Sequence, residues 1–158
     1  MIINLSDERV IYIHTCTCYI KQKDEQFTAF AEYHSTEIGE DGILARHLCH
    51  YLIKDGKQYQ LLSNEMEENR EILIYEYQGS AECFHDELFN SNKGIPIEFR
   101  RLLAAGDTEL LSHLIVPHHM DVVRYLLKDY IHIAELGHFE VDSTEIDEDR
   151  GVYVIYVV

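Results

Sequence analysis

The chain has 158 residues, 46% hydrophobic and 27% charged, which is enough apolar content for one domain with its own core and argues against long disorder. Its 29 Asp and Glu against 13 Lys and Arg give a formal net charge of −16. Such a field repels phosphate backbones and anionic bilayers and attracts basic partners, so direct nucleic-acid or membrane binding is disfavoured.

The opening has no secretory pattern, because Asp7 and Glu8 stand where an apolar core would be needed. The stretch 9–21, "RVIYIHTCTCYIK", is β-branched and aromatic and predicts a strand. The polar "KQKDEQ" predicts a turn, and "FTAFAEYHST" a returning strand. The period then changes. In "EDGILARHLCHYLIKDGK", Leu44, Leu48, Tyr51 and Leu52 fall on one helical stripe, with Asp41 as a cap and Gly56 as a stop. "KQYQLL" and "EILIYEYQ" read as strands around the acidic turn "SNEMEENR", and "AECFHDELF" as a short helix.

From Pro96 to Tyr130 the pattern predicts helices, with Pro96 and Pro117 as helix starts and Gly106-Asp107 as a stop and cap. "HFEVDSTEI" and "GVYVIYVV" predict a closing hairpin whose last strand is covered on both faces. The expected fold is a single α+β domain over 1–158 with a mainly antiparallel sheet: a β-hairpin, a helix, two strands, a helical segment and a C-terminal β-hairpin.

No catalytic constellation is legible. Phosphate-binding glycine loops and the G-x-S-x-G elbow are absent. An EF-hand count from Glu145 fails at its sixth position, Arg150, and its twelfth, Tyr156. Histidines and cysteines are plentiful, in "TCTC", "HLCH" and "AECFHDE", but no C-x-x-C or H-E-x-x-H is present, so neither a metal nor another cofactor is expected. Cys16, Cys18, Cys49 and Cys83 read as reduced thiols of a cytoplasmic protein. Arg100-Arg101 reads as a solvated helix face.

Between Glu135 and Asp149 lie seven acids without one Lys or Arg. They predict an exposed acidic hairpin: Glu140, Asp142, Glu145, Asp147, Glu148 and Asp149 as a surface for a basic protein partner, with Glu65, Glu67 and Glu68 as a second surface. The functional expectation is a small acidic interaction protein that binds and inhibits a basic target by occlusion. Immunity proteins of nuclease toxins and phage-encoded defence inhibitors share this size and charge. The alternatives are a small enzyme or ligand-binding domain with a His/Cys-lined pocket, and an accessory structural domain.

Overall fold

A computed structural model describes residues 2–4, 10–12 and 14–158. Its strands are β1 (Ile2–Asn4), β2 (Val10–Tyr12), β3 (Thr15–Lys21), β4 (Phe27–His34), β5 (Tyr51–Lys54), β6 (Lys57–Glu67), β7 (Arg70–Ser80), β8 (Ile95–Leu102), β9 (Thr108–Val116), β10 (Tyr130–Ile133), β11 (Gly137–Asp147) and β12 (Val152–Val157). Helix α1 spans Ser35–His47, broken at Gly39, and α2 spans His119–Leu126. Of the strand expected over 9–21, β2 and β3 are strands, while positions 9 and 13 lie outside the described residues.

β1 and β2 pair with each other. The other ten strands form one sheet in the order β4-β3-β7-β6-β5-β11-β12-β8-β9, with β10 added on β11. Strands adjacent in sequence pair antiparallel as hairpins and meanders: β3 with β4, β5 through β7, β8 with β9, and β10 through β12. Every joint between these units is parallel: β3 with β7, β5 with β11, and β8 with β12. The expected mainly antiparallel α+β domain is therefore wrong. The sheet is mixed, and α1 and α2 are the only α-helices among the described residues.

The helical reading of 95–116 fails for a clear reason. In "IPIEFRR" the apolar Ile97 and Phe99 alternate with Glu98 and Arg100, a period of two that belongs to a strand. Pro96 begins no helix. It lies in β8 opposite Ile115 of β9, one residue before the pairing with β12 starts at Ile97. The first helix also ends earlier than expected. Tyr51 and Leu52 belong to β5, and the segment 81–94 is a loop containing no helix.

Alternation gives the sheet two unlike faces. Ile97, Phe99, Ile146, Tyr153, Ile155 and Val157 join the apolar core with Ile43 and Ala45 of α1 and Val122, Val123 and Leu126 of α2. Glu98, Arg100, Glu145 and Asp147 point the other way, toward the 81–94 loop. β12 is buried at every position except Tyr156, which is half-buried and lines the cleft on the second face. The β11–β12 turn needs its glycine: Gly151 has φ +69°, and a Cβ there would meet Asn90 Cβ at 3.0 Å. No helix among the described residues is long and apolar enough to cross a membrane.

Candidate functional site

The second face of the sheet holds a network of buried charges. Glu98 is 0% exposed and bridges two guanidinium groups, accepting from Arg100 Nε and from Arg150 Nη1. Arg100 Nη1 also donates to Asp86 Oδ1 at 2.9 Å and to Thr108 Oγ1 at 3.1 Å. Arg150 Nε donates to Asp147 Oδ2 at 2.7 Å and lies 3.5 Å from Glu87 Oε2. The 81–94 loop is tied on by the same groups. The Leu88 amide donates to Glu98 Oε1 at 2.8 Å, and the Leu88 carbonyl accepts from Arg150 Nη1 at 2.8 Å. Arg100 Nη2 is buried with no acceptor. Such an orphan donor costs about 1–3 kcal/mol.

Beside this network opens a cleft of about 340 Å³. Its acids are Glu82 and Glu87 from the loop and Asp142, Glu145 and Asp147 from β11, and its aromatic walls are Tyr51, Phe84 and Tyr156. Among the described residues, Arg100 and Arg150 are the only basic ones that line it. Glu145 is 4% exposed, and the Tyr156 hydroxyl donates to its Oε1 at 2.9 Å. Burial is the main force on Glu145 and pushes its carboxyl up to about 7. Repulsion from Asp147 and Glu98 acts in the same direction, while the Tyr156 hydrogen bond and Arg150 oppose it. Burial and the Glu145 charge in turn push the Tyr156 phenol upward, which keeps it a donor.

The expected exposed acidic hairpin is thus mostly interior. Asp147 is 6% exposed and holds Arg150. Glu148 lies on the opposite side of the turn, where Arg46 Nε of α1 reaches it at 3.1 Å, Lys54 Nζ of β5 at 3.4 Å, and the Tyr33 hydroxyl of β4 also donates. Asp149 is exposed, yet its two oxygens accept the Asp55 and Gly56 amides at 2.8 Å each and so hold the β5–β6 turn. Asp147 thus closes its own turn through Arg150, while Glu148 and Asp149 fasten the turn to α1, β4 and β5. Only Glu140 and Asp142 remain exposed without such a task, and Asp142 stands at a β-bulge on the rim of the cleft. Glu65, Glu67 and Glu68 are exposed at the tip of β6–β7, with Glu67 paired to Arg70 at 3.1 Å.

The site residues missed from sequence are Glu98, Arg100, Arg150, Asp86, Glu87 and Tyr156. Arg100 and Arg101 do not share a solvated helix face. On a strand they point to opposite sides, Arg100 fully buried and Arg101 paired with Glu109 at 2.6 Å.

A second polar cluster lies elsewhere. His47 Nε2 is 3.2 Å from Glu71 Oε2 and 3.9 Å from Cys16 Sγ, and His47 Nδ1 is 2.7 Å from Asn64 Oδ1. Burial alone would lower the His47 pKa, but hydrogen bonds to Cys16 and Asn64 and the charge of Glu71 raise it. The Cys18 thiol hydrogen bond, against burial and with help from His47, lowers that of Cys16. Cys16 and Cys18 are both 0% exposed, and no residue of this cluster lines the cleft. Among the described residues no group of three or more His, Cys, Asp or Glu is arranged to hold a metal ion.

Compared with protein-family models, with curated proteins and with solved structures, the chain matches none.

Proposed function

We propose that the protein is a small cytoplasmic interaction protein that binds a basic protein target and inhibits it by occlusion, in the manner of an immunity protein or a phage-encoded defence inhibitor. The observation that carries this reading is the surplus of carboxylates in the cleft. Glu82, Glu87, Asp142, Glu145 and Asp147 line it, and its two arginines are already engaged by buried acids. A cation supplied from outside relieves that imbalance. The exposed acids at Glu140, Asp142, Glu65, Glu67 and Glu68 add long-range attraction, which acts mainly on association rate. A reducing cytoplasm suits the four free cysteines.

The test is kinetic. Glu82 and Asp142 are exposed at the mouth of the cleft, so Glu82→Lys/Asp142→Lys leaves the buried network in place. Association with the target captured on the immobilised protein slows about tenfold at low salt, and added salt shrinks the difference. Equal rates for variant and wild type at low ionic strength contradict the proposal. The triple change Glu65→Lys/Glu67→Lys/Glu68→Lys gives the smaller steering effect.

A further inference from the structure

Glu145 is a carboxylate almost wholly removed from solvent that faces a cleft and has no cationic partner among the described residues. Both guanidinium groups nearby are spoken for, Arg100 by Glu98 and Asp86, and Arg150 by Asp147, Glu98 and Glu87. A buried carboxylate without a counter-charge normally signals a missing cation or a retained proton. Resting on the function proposed above, we infer that Glu145 receives one guanidinium group, the side chain of an arginine that the basic target presents.

Two features favour guanidinium over other ligands. The cleft, about 340 Å³, has room for a flat cation among its aromatic walls, Tyr51, Phe84 and Tyr156. Guanidinium is less strongly hydrated than ammonium, stacks on rings and offers a planar fork of donors to carboxylates. An anion is disfavoured because carboxylates outnumber guanidinium groups on every side.

Binding carries a proton signature. Glu145 is repelled by Asp147 of its own strand and by Glu98 of β8, and it shares the cleft with the further lining acids Asp142, Glu82 and Glu87. Arg150 opposes that repulsion, the Tyr156 hydroxyl of β12 donates to Glu145, and Arg100 of β8 and Tyr51 of β5 complete the lining. Burial and these neighbours push the Glu145 carboxyl up to about 7. An arriving guanidinium group favours the ionised carboxylate, so it expels the proton that Glu145 holds, and affinity rises from about pH 6 to about pH 8.

The experiment titrates the full chain with Nα-acetyl-arginine amide and with its neutral isostere, Nα-acetyl-citrulline amide, following tyrosine ring resonances and heat in buffers of different ionisation enthalpy. The arginine probe is expected to shift the rings of Tyr51 and Tyr156 and to release a proton at neutral pH, and the citrulline probe to do neither. Glu145→Gln, which keeps the acceptor for Tyr156 and the shape of the site, weakens arginine binding about tenfold or more and abolishes the proton release. Equal binding of the two probes, an unchanged Glu145→Gln affinity, or no shift at millimolar arginine probe overturns the inference. If the arginine probe fails while Glu82→Lys/Asp142→Lys still slows the target, this inference falls and the interaction function stands.

Discussion

The two faces of the central sheet are made by neighbouring residues and held by opposite physics. On β8, Ile97 and Phe99 face the helices and are buried among aliphatic and aromatic side chains. Glu98 and Arg100, one residue away, are fully buried under the 81–94 loop in an ionic network. The apolar face is stabilised by area removed from water and tolerates small losses of volume. The ionic face depends on every charge having its partner, because a buried charge left alone is worse than no pair at all. A residue's depth therefore does not indicate how it stabilises the fold, and the face that carries the cleft is the one with most to lose.

The largest effect expected is at Glu98. Glu98→Gln leaves two buried guanidinium groups short of a counter-charge and lowers stability by about 3–5 kcal/mol in urea unfolding. A loss below the cost of a surface change would mean that the network is not closed. Next comes Glu145, with the opposite sign. Its folded carboxyl lies at about 7 against an ordinary 4.5, so between those values the folded state holds more protons than the unfolded chain. Stability from this group is present below pH 4.5 and is lost as pH rises through 7. Glu145→Gln is expected to gain about 3 kcal/mol at about pH 8 and nothing at about pH 4, read as melting curves across pH. Asp149→Ala, which frees the Asp55 and Gly56 amides, costs about 1–2 kcal/mol despite its exposure. Ile97→Val, on the apolar face, costs about 1 kcal/mol at every pH. A strong pH dependence there would dissolve the distinction between the faces.

The parts of this fold legible in sequence were local. Turn-rich breaks such as "KQKDEQ" and "DEDRG" mark where the chain doubles back, and the apolar run from Val152 to Val157 marks a strand covered on both sides. The parallel joints were not legible, since β3 meets β7 and β12 meets β8 across long stretches of intervening chain. β8 was misread because Pro96 and a loose apolar stripe imitate a helix start, although the alternation at 97–100 already carried the strand period. The acidic run was legible as a concentration of charge but not as an interior one. Arg46 and Lys54, which engage Glu148, come from about a hundred residues away. Arg150 stood beside the run, three residues after Asp147, and was the one near signal that these acids have internal partners.

The second face buries a carboxylate, Glu145, for which the described residues supply no cationic partner. This is tested most directly by following the side-chain carboxyl carbons of the isolated protein by ¹³C NMR through a pH titration, with Glu145→Gln to assign the resonance. One glutamate, absent from the spectrum of the variant, is expected to titrate at about 7. A Glu145 resonance that titrates at the ordinary 4.5 would contradict this, and the cleft would then be an open, hydrated surface with no place waiting for a cation.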